Sequence, residues 1–312
     1  MGQTVPPSKS TVIVQEQAYL SFPAIASIRD RLMVIFRKAK GTKLDFNASI
    51  LWVYSDDDGQ SWSEPEPWFD QEGGDCRNCG GGTLQDGTAV FVFDIHGGEG
   101  AWRRTFFKQS TDGKTWSDPI RLRAENNGQT TVSVGNRALD WDDEHLYFPH
   151  FQNCGHSVLY HRPTGEQTAI PTVPRVEPTV VWNKNRELIA FSKGGVIDVS
   201  TDEGKTWMAV SQVDSVSQPD LITLDDGQLL FCYSGGKRAN EFLLLSKTGR
   251  DIAEHQARMI FCAEPPKVLT DRGKAQCLQW HDEILTVLYE SSETAGSTGQ
   301  IHLVRTPCSA LL

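Results

Sequence analysis

Carboxylates at Asp45, Glu177, Asp220 and Glu290 and cations at Arg37, Arg77, Lys193 and Arg238 recur at the ends of apolar segments in a chain of 312 residues. Carboxylates can exchange protons or accept hydroxyl donors, and guanidinium groups clamp a carboxylate through paired hydrogen bonds. Amides (Gln152, Gln218), imidazoles (His96, His150) and phenols (Tyr233, Tyr289) occupy comparable positions. Together they suit a polyhydroxylated, anionic small molecule such as a sugar acid. No GxxxxGK[ST] phosphate cradle occurs, which argues against a nucleotide.

Composition narrows the field. The net charge of −10 disfavours nucleic acid or an anionic membrane as partner. No apolar run approaches the roughly 18 residues that signal a membrane span. The only CxxC, Cys76 and Cys79 in DCRNCGGG, lacks a second ligand pair at compact spacing. Packed thiols are therefore expected there, with no metal and no cofactor. Seven scattered cysteines and an N-terminal MGQTVPPSKS without an apolar core fit a cytoplasmic setting as the sequence stands, or a secreted or periplasmic one if a leader has been removed.

The elements that position these groups are marked by a repeated box. SDDDGQSW (55–62) returns as STDEGKTW (200–207) and, one residue shorter, as STDGKTW (110–116). Ser and Asp bond nearby backbone amides, Gly permits a left-handed turn and Trp packs between sheets, so the box is structural and its aspartates are not catalytic candidates. Before each box runs a unit of β-branched and aromatic strands around polar turns such as QDG, DDG and NKN. Six such three-strand units fill residues 1–312 as one domain, at the period of propeller blades. The predicted fold is all-β, a six-bladed β-propeller. Inner strands line a central channel, and function gathers where their ends converge. The strand starts carry Phe22, Arg77-Asn78, Asn136-Arg137, Glu177, Gln218 and Gln276. The loops after the second strands carry Arg37 to Asp45, His96, His150, Lys193, Tyr233 and Glu290.

SxDxGxxW is the Asp-box of the sialidase (neuraminidase) superfamily, and FPAI, EPTVVW, GGKRANEFLLLS and VLYE resemble successive landmarks of that family in order. The resemblance implies a sialidase-like propeller whose members hold a sugar carboxylate with three arginines, use an aspartate as acid-base and attack with a tyrosine activated by a glutamate. It assigns Asp45 as the acid-base, Glu177 as the activating glutamate, Arg238 as the third arginine and Glu290 as a support for the first. Departures stand beside these matches. Ser21 replaces the first arginine, Lys193 the second, and Ala275-Gln276 occupy the place of the tyrosine. Arg37, Arg77 or Arg103 could rebuild a clamp, and Tyr233 or Tyr289 could replace the nucleophile.

The reading that follows is a sialidase-like glycoside hydrolase acting on terminal acidic sugars of glycans, or else a non-catalytic glycan-binding propeller. Asp45, Glu177 and Tyr289 are its catalytic candidates. Arg37, Arg77, His96, His150, Gln152, Lys193, Gln218, Tyr233, Arg238 and Glu290 are its substrate-binding candidates.

Overall fold

The computed structural model describes residues 8–98, 103–123, 136–150, 156–235, 240–252, 257–262, 270–292 and 298–311. After β1 (Lys9–Glu16), the chain lays down antiparallel four-stranded sheets in succession. Blade 1 is β2 (Tyr19–Ile28), β3 (Arg31–Ala39), β4 (Ser49–Ser55) and β5 (Glu66–Phe69). Blade 2 is β6 (Gly74–Thr83), β7 (Ala89–Gly97), β8 (Arg103–Ser110) and β9 (Ile120–Arg121). Blade 3 is β10 (Leu139–Asp140), β11 (His145–Phe148), β12 (His156–His161) and β13 (Gln167–Pro171). Blade 4 is β14 (Thr179–Trp182), β15 (Leu188–Phe191), β16 (Val196–Ser200) and β17 (Met208–Gln212). Blade 5 is β18 (Val216–Thr223), β19 (Leu229–Gly235), β20 (Asn240–Ser246) and β21 (Arg258–Cys262). Blade 6 is β22 (Thr270–Trp280), β23 (Glu283–Ser292) and β24 (Gly299–Pro307), and its fourth strand is β1.

The six-bladed propeller is as expected, but each blade has four strands rather than three. The outer strands β5, β9, β13 and β17 are short and largely solvent-facing, so they lack the apolar signature that marks the inner ones. Closure of the ring is also invisible locally. β1 is mostly exposed and pairs with a strand almost a full chain length away, Val14 opposite Ile301. Among the described residues the only helical element is a single 3-10 turn, Cys308–Ala310, and no helix is long and apolar enough to cross a membrane.

Apolar clusters fill the spaces between adjacent blades. Leu20, Val34 and Phe36 of blade 1 pack on Leu285, Tyr289 and Leu303 of blade 6, and Ile35 and Ile50 of blade 1 pack on Phe91 and Phe93 of blade 2. The boxes lock these layers. Ser55 Oγ accepts the Gly59 N–H at 2.8 Å and donates to Asp57 at 2.7 Å, and Ser200, Gly204 and Asp202 repeat the pattern at 2.8 and 2.8 Å. A box that reads as decayed in the sequence proves functional in blade 5. Ser246 Oγ accepts the Gly249 N–H at 2.7 Å, and the carboxylate comes from Asp251, two residues beyond the glycine, at 2.6 Å. Each turn seats against the preceding blade, Gly59 beside Leu303 and Gly249 beside Ile189.

Candidate active site on the propeller axis

One backbone irregularity builds the site. The inner strands of blades 1, 2, 5 and 6 each contain a bulge, between Ser21 and Ala24, Arg77 and Gly80, Ser217 and Asp220, and Gly273 and Gln276. At each, a residue other than glycine takes a left-handed φ: Phe22 (54°), Asn78 (54°), Gln218 (51°) and Lys274 (44°). Glu177 (53°), just before β14, does the same in blade 4. Such a conformation costs of order 1–3 kcal/mol and persists only where the surroundings enforce it. All five side chains line one cavity of about 230 Å³. Five blades thus use the same strained turn to aim a side chain at a common point.

The rest of the wall comes from Tyr19, Thr42, Arg77, Asn136, Asp271 and Tyr289. Asp271 collects three donors: the Tyr289 hydroxyl at 3.0 Å, the Tyr19 hydroxyl, and the Arg272 N–H at 3.1 Å. Burial, then the neighbouring Tyr289 and Asp271, push the Tyr19 phenol well above its ordinary range. Glu177 pairs with Lys193 at 2.8 Å. Lys274 is buried and reaches across the axis to donate to the Cys79 carbonyl. Burial lowers its pKa to about 8 against the opposing pull of Cys79, Glu177, Asp94 and Asp220. Burial likewise lowers Arg77, whose Nη1 lies 3.3 Å from Asp75. Lys274 Nζ and the Arg77 guanidinium sit 5.4 and 5.5 Å from the centre of the Phe22 ring, within cation–π range.

Close packing holds the blades at these distances. A Cβ on Gly80 would stand 2.4 Å from the Asn136 carbonyl oxygen, so only glycine lets blade 3 approach blade 2 here. Asn136 in turn donates to the Pro178 carbonyl at 2.9 Å. Arg137 forks onto Asp220 at 2.9 and 2.6 Å and donates to the Cys277 carbonyl at 2.8 Å, tying blades 3, 5 and 6.

Among the sequence candidates, the structure brings Glu177, Tyr289, Arg77 and Gln218 together on the cavity wall. Others do not line it. Arg37 is fully buried, forked onto Asp75 at 2.8 and 2.9 Å and bonded to the Gly41 and Lys43 carbonyls, where it braces the β3–β4 loop. Asp45 caps that same loop, its carboxylate accepting the Lys40 N–H at 2.8 Å and the Asn47 N–H at 3.2 Å. Burial resists its ionisation, but these amides and the charges of Lys40 and Arg37 hold its pKa below the ordinary value. Tyr233 is a core residue stacked on Phe242. Glu290 binds Arg272 at 2.8 Å, His96 lies 3.7 Å from Asp94, and the buried His150 donates its N–H to Ser157. Lys193 reaches the wall only through Glu177. Gln152 and Arg238 lie outside the described residues.

Sequence reasoning missed Tyr19, Asp271 and Lys274 as site residues, and it held Thr42 only as part of the Arg37–Asp45 loop. It starts blade 6 at Gln276, because Asp271, Arg272 and Lys274 break the apolar pattern of a buried strand, whereas β22 begins at Thr270. The signal available was the shared phase: Lys274 stands two residues before Gln276 as Gln218 stands two before Asp220. Cys76 and Cys79 are buried, and burial pushes both thiols up to about 12, so they pack as protonated side chains.

Box turns between blades, four-stranded antiparallel sheets and a polar cavity on the axis define the class of Asp-box propellers. The chain matches the BNR repeat-like domain over residues 51–259 and belongs to that family. No curated protein matches the sequence. Among solved structures, it resembles a protein of unknown function from Dyadobacter fermentans at 17% identity and a TM-score of 0.75, covering 96% of this chain and 99% of that one. It also resembles the NanB sialidase of Streptococcus pneumoniae at 11% identity and a TM-score of 0.73, covering 99% of this chain and 71% of the other. For Trypanosoma rangeli sialidase the identity is 12% and the TM-score 0.64, over 97% of this chain but only 58% of that protein. These likenesses establish a shared fold.

Proposed function

We propose that the axial cavity binds a terminal acidic sugar and that the protein hydrolyses its glycosidic bond. One observation carries the reading: Tyr289 donates to Asp271 inside a cavity that also holds Glu177, Arg77 and Lys274. A phenol beside a carboxylate base is a suitable nucleophile for a sugar whose anomeric carbon bears its own carboxylate, because a charged nucleophile would be repelled. The Tyr289 oxygen bonds to the anomeric carbon, its proton passes to Asp271 and on to the leaving oxygen as the glycosidic bond breaks, and water then attacks the same carbon, giving one proton back to the departing Tyr289 oxygen and releasing the free sugar. Glu177 supplies negative charge beside the cationic ring that develops. The T. rangeli sialidase, whose structure holds sialic acid, shares the propeller on which this cavity is built.

The test is turnover of 4-methylumbelliferyl glycosides of sialic, uronic and neutral sugars. An acidic glycoside should be cleaved, and Tyr289→Phe, Asp271→Asn and Glu177→Gln should each lower kcat by about 10²-fold or more while sugar still binds. Full turnover in all three would refute these roles. Asp45→Ala tests the assignment the family resemblance gives, and a loss equal to that of Tyr289→Phe would return Asp45 to the acid-base position. The second reading, a glycan-binding propeller without catalysis, is favoured by the occupied state of the carboxylates: Glu177 with Lys193, Asp271 with two phenols, Asp45 with two amides. Saturable binding without turnover on the whole panel would select it.

A further inference from the structure

We propose that Lys274 is the specificity-determining cation of the cavity, binding the ionised acid group of the sugar together with Arg77. The inference rests on the sugar-binding reading and deepens it. Lys274 is 6% exposed, lines the cavity and is held there by a left-handed bulge. Its ammonium has three N–H donors. One goes to the Cys79 carbonyl, and the others have no acceptor among the described residues. A buried ammonium with unused donors costs free energy until an acceptor arrives.

The charges around it point the same way. Blade 2 presents the Cys79 thiol, Asp94 and Arg77, blade 4 Glu177 and blade 5 Asp220. None of these carboxylates bonds Lys274 directly. Asp94 binds Asn78 and Thr105, Glu177 binds Lys193, and Asp220 binds Arg137. Arg77 is underserved too: it shares with Arg37 a single carboxylate at Asp75 and reaches the Thr42 carbonyl only at 3.5 Å, while its Nε has no acceptor among the described residues. Two under-neutralised cations against one aromatic ring make a receptor for one anion.

Burial places the Lys274 titration at about 8. The binding form is the protonated one, so affinity for an acid should be level below neutral pH and fall as pH rises through about 8. The probes are N-acetylneuraminic acid, glucuronic acid and the methyl ester of each, titrated by calorimetry from pH 6 to 9.5 into wild type, Lys274→Arg and Lys274→Met. Wild type should prefer an acid to its ester by about 10-fold or more and lose acid affinity above pH 8. Lys274→Arg should bind the acid with a flat profile, because guanidinium stays charged throughout. Lys274→Met should lose about 10- to 100-fold for the acid and leave the ester unchanged.

Equal binding of acid and ester, or the same alkaline decline in Lys274→Arg as in wild type, would overturn the role of Lys274 while leaving sugar binding standing. Should Lys274→Met fail to fold, the Lys274→Arg profile decides alone. If none of the four probes binds at any pH, the sugar-binding reading falls and the inference with it.

Discussion

Replacing Asp75 by asparagine should unseat the most deeply buried charge pair of the described molecule. Asp75 and Arg37 are both 0% exposed, and the carboxylate accepts Arg37 Nε at 2.8 Å and Nη2 at 2.9 Å, together with Arg77 Nη1 and the Asp45 N–H. The amide retains one acceptor and turns an NH₂ toward the guanidinium, leaving a buried cation without its counter-charge. Breaking such a pair by changing one partner costs about 3–5 kcal/mol. A chain of 312 residues has an unfolding entropy of about 0.65 kcal/mol/K, so Tm should fall by about 5–8 °C. Scanning calorimetry reads this directly. The double variant Arg37→Met/Asp75→Leu, which removes both charges together, should recover at least half of the loss. An Asp75→Asn melt within about 1 °C of wild type would refute the reasoning. Because Asp75 also holds Arg77 and the Asp45 loop, sugar affinity should weaken in the single variant.

Gly80→Ala should cost at least about 3 kcal/mol, since its Cβ meets the Asn136 backbone, whereas Gly87→Ala, with open space around it, should cost only the strain of its left-handed turn, about 1–2 kcal/mol. Urea titration of the two variants would contradict this if they were equally stable. The box carboxylates predict an acid limb. Hydrogen bonds, led by Ser61 on Asp57, Thr115 on Asp112 and Thr206 on Asp202, hold all three at about 2. Groups depressed in the folded state stabilise above their unfolded pKa, so this contribution is complete above about pH 4 and is lost as pH falls toward 2. The urea midpoint should drop across that window, and Asp→Asn at all three positions should flatten the slope.

The blade count was legible because the box is local chemistry: Ser, Asp, Gly and Trp within eight residues make the same turn wherever they occur. The short, solvent-facing outer strands were not legible. β1 is mostly exposed, with Val14 alone buried, and its partner lies at the other end of the chain. The site was half legible. Strand starts at Phe22, Asn78, Glu177 and Gln218 were polar or aromatic at a common phase, but the left-handed turn beneath them was hidden, since three precede proline and such residues favour extended backbone. The loops after the second strands read as equally polar, yet Arg37, Asp45 and Glu290 use that polarity on their own surroundings. A sequence displays hydrogen-bonding capacity without showing which partner consumes it.

The strand that closes the ring also sets when the cavity can be complete. The cavity draws Tyr19 and Phe22 from blade 1 and Asp271, Lys274 and Tyr289 from blade 6, and the seam between these blades is closed by the pairing of β1 with β24. During synthesis the first blade must therefore wait, its seam-facing apolar side uncovered, until the last strands leave the ribosome. The cavity wall is then completed together with that final pairing, so a chain lacking β22–β24 would hold most of the blades and an unfinished cavity.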